Sequence, residues 1–337
     1  PPALILESGR ALVDDAGTIW FANGAVQREL GYEPAEMIGR DVAEFVHEDD
    51  FDLAVRRLTT LWADHPTPIT SIRLRGADGE VRSWEVTSGD LRDPISGGRV
   101  LTCRDVTARL EDEAAAARWV ELLRFAFDLA QTALDVDADQ FIDRLSVVCA
   151  DVAGLLGVDM VYVDQLDEQR RVIDNRGGWV RRGCANSTHV GEPIAFASMP
   201  SWLDRLRSNE PVVVDDMTGV DEPWVREKLG VLGGERSMVA VPMTSAGELM
   251  GVLGASMAGA ARAWHDDEVT FLRIVTETIA HVLERSRLDH ALRASESRFR
   301  LLAETAADVI ILVDLEGRFE YVSPSSASLL GIPSSEL

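Results

Sequence analysis

Residues 11–22 alternate apolar and polar side chains around an Asp-Ala-Gly turn. A period of two places one face of a strand on a core, so this stretch predicts a β-hairpin. A turn-rich, helical stretch follows to about Leu61. Ile69–Arg75 and Val81–Thr87 flank Ala77-Asp78-Gly79, and Asp-Gly supplies the positive φ angles of a tight turn, which predicts a second hairpin. Val100–Arg104 adds a fifth strand. The pattern up to residue 107 is five antiparallel strands with helices on one face of the sheet.

The period then changes. Thr107 reads as a helix N-cap, with Glu111, Asp112 and Glu113 early in the helix, where negative charge suits the helix dipole. Trp119, Leu122, Ala126, Leu129 and Ala133 are spaced alternately three and four apart, the spacing of a seam for another helix. Two partners fit it, a second copy of the chain and the adjacent domain, and the two can coexist.

Phe141–Leu156 reads as an amphipathic helix, and Met160–Leu166 with Val172–Val180 as a strand pair around a charged turn. Ser198–Ser208 reads as a short helix and Pro211–Asp215 as a strand. Met238–Met243 and Leu249–Met257 pair across Thr244–Glu248. No Gly or Pro interrupts Asp266–Leu302, which at 1.5 Å per residue reaches roughly 50–55 Å as one helix. Its apolar run Leu272, Ile279, Leu283, Leu288 and Leu292 matches the earlier seam and predicts paired helices in a parallel homodimer. The fold class is α+β, with antiparallel sheets joined by long helices.

Positions 12–37 recur at 312–337 without a gap. Leu12, Val13, Asp14, Gly17, Leu30, Gly31 and Glu36 return as Leu312, Val313, Asp314, Gly317, Leu330, Gly331 and Glu336. An internal repeat defines the building unit of a chain. Here the unit is a strand, an Asp/Gly turn, a second strand and a small-residue helix ending in Leu-Gly. The second copy starts and the chain stops, so a fragment of a longer polypeptide is expected.

Composition narrows the function classes. A chain of 337 residues gives two to three domains at ~150 residues each. The net charge of −24 argues against nucleic acid, whose affinity is built on clustered Lys and Arg, and against an anionic membrane surface. No apolar run approaches the ~18 residues of a spanning helix. Cys103, Cys149 and Cys184 lie far apart and form no metal or redox pair, which fits a reduced, cytoplasmic setting.

No complete catalytic motif is present: there is no P-loop, no His-Glu-x-x-His and no nucleophile elbow. The fragment is therefore not expected to be an enzyme. His281 and His290 sit on the long helix without the acidic neighbour and later proline of a phosphoacceptor box, so they read as solvated. The cluster His47–Asp52 reads as an N-capping, solvent-facing turn and not as a metal site.

The first copy of the repeat resembles a PAS domain. It carries Asp14-Asp15-Ala16-Gly17-Thr18-Ile19, then Asn23 and Ala25, Leu30-Gly31-Tyr32 and Met37-Ile38-Gly39. His47-Glu48-Asp49-Asp50 is similar to the family's His-Pro-Asp-Asp turn, with Glu48 in place of Pro. Arg104-Asp105-Val106-Thr107 looks like the motif where a PAS core meets its exit helix. The middle segment resembles a GAF domain through Arg236–Met243, Gly251-Val252-Leu253, Trp264–Glu268 leading into Phe271-Leu272, and Glu284-Arg285. The resemblance implies PAS over 1–107, a linker helix over 108–136, GAF over 137–285, a continuous helix over 286–302 and a truncated second PAS over 303–337.

The cofactors of these families find little support. The Asn-Cys-Arg-Phe context of flavin sensors, the Asp-Ile-Pro motif of bilin sensors and the Asn-Lys…Phe…Asp-Glu set of cyclic-nucleotide GAF domains are missing, and His47 and His65 stand in polar, turn-like contexts that do not suit haem. No cofactor is identified. A small-molecule ligand is expected, if anywhere, in the GAF module, where Trp179, Arg181, Arg182, His189, Trp202 and Asp216 mix apolar walls with polar anchors. A capped core has the same composition, and both readings stay open. Trp119, Leu122, Ala126, Leu129, Leu272, Ile279 and Leu283 are the candidate dimer positions. The resemblance implies a sensory region acting on a C-terminal effector, first a diguanylate cyclase or cyclic-di-GMP phosphodiesterase. A sensor histidine kinase, or a dimerisation scaffold without ligand, is the alternative.

Overall fold

The structure, a computed structural model, describes residues 9–14, 16–60, 71–91, 98–184, 193–221, 235–305, 308–329 and 331–332. The chain divides into two compact units, Pro1–Val120 and Glu121–Leu337.

In the first unit, β1 (Gly9–Val13) and β2 (Ile19–Ala22) form the expected hairpin. Asp14 sets its turn: Oδ1 accepts from the backbone N–H of Ala16 and of Thr18, each at 2.9 Å. Gly17 takes φ 89°, a left-handed conformation that glycine enters at no steric cost. Asn23 Oδ1 accepts from Arg10 N at 2.9 Å, and α1 (Gly24–Leu30) follows, ending on Gly31 at φ 78°. β3 (Ile72–Arg75), β4 (Val81–Leu91) and β5 (Gly98–Asp105) complete an antiparallel sheet of order β2-β1-β5-β4-β3. The short α2 (Pro34–Met37), α3 (Phe51–Thr60) and two 3-10 turns close over Val13, Ile19, Phe45, Trp84 and Leu101, none more than 2% exposed. The acidic turn is structural as expected. Arg73 donates to both oxygens of Asp50 at 2.8 and 3.0 Å, and that bond holds the Asp50 carboxyl below the usual aspartate range.

The helix root differs in detail from its expectation. α4 (Thr107–Asp135) already includes Thr107, whose N–H donates to Asp105 Oδ1 at 2.8 Å. The Thr107 hydroxyl accepts from Ser83 N at 2.9 Å instead. Asp105 is thus the capping group, and Thr107 ties the helix to β4.

In the second unit, the helix expected over Phe141–Leu156 is two: α5 (Ala138–Asp143) and α6 (Leu145–Leu156). They break at Arg144, where the backbone leaves helical geometry (φ −100°, ψ 4°) and its N–H bonds back to Phe141 O at 3.0 Å. The strands β6 (Met160–Asp167), β7 (Val172–Val180), β8 (Ile194–Ala195), β9 (Val212–Val214), β10 (Glu235–Ser245) and β11 (Glu248–Ala258) form a sheet of order β8-β7-β6-β11-β10-β9. Along β10, Met238 and Ala240 join the cluster under α7 (Pro200–Arg207), with Trp202, Leu203, Leu206 and Met217. Val239 and Val241, both 0% exposed, point to the other face by strand alternation. Both faces are covered, which is why β10 and β11 read as continuous apolar runs. Gly254 of β11 lies under the Tyr162 ring of β6, and a Cβ there would overlap the ring.

α8 (Asp266–Thr305) is a single 40-residue helix. Its start is latched by Glu268, which is 0% exposed and bonded by Arg262 Nη2. The same guanidinium donates to Leu156 O at 3.1 Å and stacks 4.3 Å from the Trp264 ring. Beyond α8, β12 (Ile311–Val313) and β13 (Phe319–Val322) reproduce the first hairpin, followed by α9 (Ser325–Leu329). The pairs Ala11–Ala22, Leu12–Phe21 and Val13–Ile19 recur as Ile311–Val322, Leu312–Tyr321 and Val313–Phe319, with the irregularity at the same step. Asp314 Oδ1 accepts from Glu316 N and Arg318 N, as Asp14 does in its own turn.

Candidate functional site

The candidate ligand residues fall into separate structural roles. Trp179 lies near the end of β7, opposite Val161. Arg181 follows that strand, its Nε 3.0 Å from Asp159 Oδ1 and its N–H 2.8 Å from Asp159 O. The other oxygen of Asp159, Oδ2, accepts from Ala258 N at 2.9 Å. Asp159 is 6% exposed, so the pair joins the ends of β6, β7 and β11. Arg182 is exposed in the following turn. His189 lies outside the described residues.

Trp202 is 6% exposed within the apolar cluster under α7. Asp216 caps the 3-10 turn Met217–Gly219, accepting from Thr218 N at 3.0 Å and from its hydroxyl at 2.8 Å. Those bonds, aided by Arg236 at 3.5 Å, lower the Asp216 pKa. Trp202 and Met217 share one cluster, which brings Asp216 to its edge. Trp179 and Arg181 belong to the β7 end. Within the described residues, Trp202, Asp216 and Arg181 therefore act as core, cap and strand clamp.

The helical seam is placed more sharply. Leu122, Ala126, Leu129 and Ala133 of α4 are buried inside the second unit, as are Leu272 and Ile279 of α8, while Leu283 is half-buried. Phe125 meets Phe271 edge to face at 6.0 Å, and Arg285 Nη2 donates to Val136 O at 2.8 Å. The expected dimer positions on both helices are thus spent on packing within one chain; Trp119, in the first unit, is half-buried. Sequence spacing alone cannot tell an internal helix partner from an external one. The ascending contacts, 125 with 271 and 136 with 285, show that the two helices run parallel.

Two concave features remain. In the first unit a cavity of about 40 Å³ is lined by Val42, Ala54, Leu74, Val86, Leu101 and Cys103 among others. Burial pushes the Cys103 thiol up to about 12. In the second unit a groove of about 340 Å³ separates α4 from α8, lined by Ala130, Ala133, Leu134, Thr278, His281, Val282 and Arg285.

Where α8 leaves the sheet, Asp139 gathers three of its side chains. Oδ1 accepts from Ser286 Oγ at 2.8 Å, and Oδ2 lies 3.1 Å from His290 Nε2 and 3.8 Å from Arg293 Nη1. His281 is exposed, as expected of a solvated histidine, whereas His290, also exposed, is engaged by Asp139. The polar hub at Asp139 is the feature that the sequence pattern did not reveal. Its only signal was the spacing 286, 290, 293, one face of a helix. Among the described residues, no group of three or more His, Cys, Asp or Glu side chains is placed to hold a metal ion, and no helix is long and apolar enough to cross a membrane.

Family comparison agrees with the sheet topologies. Residues 6–111 match a PAS fold model, 140–284 a GAF domain model and 297–337 a PAS domain model. The chain has a PAS–GAF–PAS arrangement and is a sensory signalling region built from those modules. Similar solved structures include the chromophore-binding domain of Stigmatella aurantiaca phytochrome P1 (15% identity, TM-score 0.41, covering 82% of this chain and 94% of that one). The corresponding domain of the R. palustris bacteriophytochrome RpBphP3 aligns at 13% identity and TM-score 0.41, over 85% of this chain and 95% of that one. The GAF domain of Thermosynechococcus elongatus PixJ aligns at 22% identity and TM-score 0.40, over 49% of this chain and 94% of that one. No curated protein matches the sequence.

Proposed function

We propose that this region senses a small molecule or a protein contact in its GAF module and transmits the event along α8 to a C-terminal effector in the cytoplasm. The observation that carries the reading is the double duty of α8. Phe271, Leu272, Val275 and Ile279, each 0% exposed, are part of the GAF core. The same unbroken helix continues to Thr305, directly before the second PAS copy. A repacking of the core therefore moves a rod, and the rod moves the module attached to its far end.

The effector that best fits a PAS–GAF–PAS input is a diguanylate cyclase or a cyclic-di-GMP phosphodiesterase; a sensor histidine kinase is the second reading. In neither is the fragment itself an enzyme. The ligand is sought between Trp179 and Met238, with Arg182 as the anchor that carries no structural duty in the described residues. The test is thermal stability against a panel of nucleotides and metabolites. A ligand at 100 times its dissociation constant stabilises the fold by ~2.7 kcal/mol, and Arg182→Ala is expected to abolish the shift. If no compound moves the melting temperature, the ligand reading fails, and regulation by a protein contact or a scaffold role takes its place.

A further inference from the structure

α8 leaves the core of its module at one point. Ile279, Ala280 and Val282 are core residues, Ser286 is the last buried residue before Ala303, and every residue from 287 to 302 is exposed. At that point Ser286, His290 and Arg293 turn to the single carboxylate of Asp139. Their spacing of four and three residues puts them on one face of the helix. Asp139 is itself held in place: its N–H donates to Asp137 Oδ1 at 3.0 Å, and Ala138 and Phe141 of the same short helix are buried. The carboxylate is therefore a fixed post, and His290 and Arg293 reach back to it from the exposed stretch of α8.

We propose that Asp139 and His290 form a proton-operated latch on α8: the charged imidazole holds the helix beyond Ser286 to α5, and the neutral imidazole holds it less tightly. The proposal deepens the reading of α8 as a transmitting helix and rests on it. To bond an ionised carboxylate, Nε2 must carry a proton in either state, so the 3.1 Å contact survives as a neutral hydrogen bond when the ring loses its charge. A charge-assisted bond is roughly twice as strong as a neutral one, so the charge sets the strength of the hold. Histidine is the side chain that changes charge between about pH 5 and 8. The carboxyl stays ionised over that range, because the bonds from Ser286 and then His290 hold it below the usual aspartate range.

The charges on the elements that meet here suit a cation at His290. Asp135 ends α4, Asp137, Asp139 and Asp143 belong to α5 and its cap, with Arg144 after them, and α8 adds Glu284, Arg285, Arg287, Asp289 and Arg293. Arg285 is engaged by Val136 O, and Arg287 Nη1 lies 3.9 Å from Glu284 Oε2. Arg293, 3.8 Å from Asp139, is charged at every relevant pH. It supplies a constant hold, and His290 adds the part that a proton controls. Residues 287 to 302 lead to the second PAS copy, so loosening the latch frees that stretch without repacking the core at Ile279. The latch is a control on α8 separate from any ligand in the GAF module.

Amide hydrogen exchange of the full chain at pH 6 and pH 8, with each rate divided by the intrinsic rate at that pH, tests this. Protection over residues 287 to 295 of the wild type is expected to fall about three- to fivefold from pH 6 to pH 8, the span of an exposed ion pair. Protection over the core stretch 272 to 280 should stay level. His290→Gln keeps a donor without the charge, and Asp139→Asn keeps an acceptor without the charge. Both variants should show the lower, pH 8 protection of the wild type at either pH, with level protection over 272 to 280 as the check that they fold. Equal protection of the wild type at the two pH values overturns the proposal, and so does a step of full size in His290→Gln, which assigns it to another group. A ligand-induced melting shift without a pH step removes the latch and leaves the sensory reading; a pH step without any ligand shift does the reverse.

Discussion

Arg181 Nε lies 3.0 Å from Asp159 Oδ1, and this pair ties the last residues of β7 to the start of β6. The arginine is half exposed and the aspartate is almost buried, so the geometry serves the aspartate. Arg181→Ala is expected to cost about 1 kcal/mol, the upper range for a partly exposed pair. Arg182→Ala should stay within about 0.5 kcal/mol, as surface changes do. Urea unfolding of the two variants separates a structural arginine from one free to bind an anion.

Trp202 carries a prediction of a different size. Its ring belongs to the cluster with Phe196, Leu206 and Met217, and truncating a buried Trp to Ala costs about 3–5 kcal/mol. The expected result of Trp202→Ala is a large loss in denaturant midpoint in the absence of any ligand. A variant of nearly wild-type stability would instead make this tryptophan a candidate ligand contact.

The Asp139 hub predicts a pH dependence. The bond from Ser286 and then that from His290 lower the Asp139 pKa from its ordinary 3.8. A depressed carboxyl stabilises the fold above its unfolded value, and that contribution is lost as pH falls through the folded value. The melting temperature of the wild type should therefore drop further between neutral pH and about pH 3 than that of Asp139→Asn, which has no such group to protonate. Equal drops would remove the hub as a stabilising contact.

The two copies of the repeat differ in protection. Val13 and Ile19 are 2% and 0% exposed, whereas their counterparts Val313 and Phe319 are 54% and 49% exposed. In the first copy β5 pairs with β1 over Gly9–Val13; β12 pairs with β13. Opening free energies range from near zero to the global value within one protein. Backbone amides of β12 and β13 are expected to exchange with deuterium about 100-fold faster, or more, than those of β1 and β2. Similar rates in the two hairpins would contradict this.

Burial pushes the thiols of Cys103 and Cys149 up to about 12, so both stay protonated at physiological pH. The thiolate is the reacting species. Maleimide labelling of the native protein should leave both unmodified while denatured protein labels fully. Fast native labelling of Cys103 would mean that the first-unit core opens readily.

Local chemistry was legible in the residues themselves. Asp14-x-x-Gly17 and Asp314-x-x-Gly317 specify their turns because a carboxylate two residues back and a glycine at positive φ need nothing from elsewhere in the chain. The alternation of 11–13 and 19–22, the Asp78-Gly79 turn and the Gly-free run of α8 likewise declare hairpins and helix by short-range rules, and the order of modules comes from them. The break at Arg144 was hidden because an amphipathic pattern continues through it.

What covers each face was decided only in three dimensions. Leu122 and Phe127 are both apolar and sit five residues apart on one helix, yet the first is 1% exposed and the second 63%. A period of seven residues states that a helix partner exists and is silent on which helix, since a neighbour in the same chain and a neighbour in another satisfy the same spacing. Arg181 was equally ambiguous. Its partner Asp159 lies 22 residues earlier, just before the strand alongside, and pairing across a sheet depends on register, which no local pattern encodes. The sequence by itself determined the elements and their order; the fold alone decided which apolar stripe is core and which charge is a clamp.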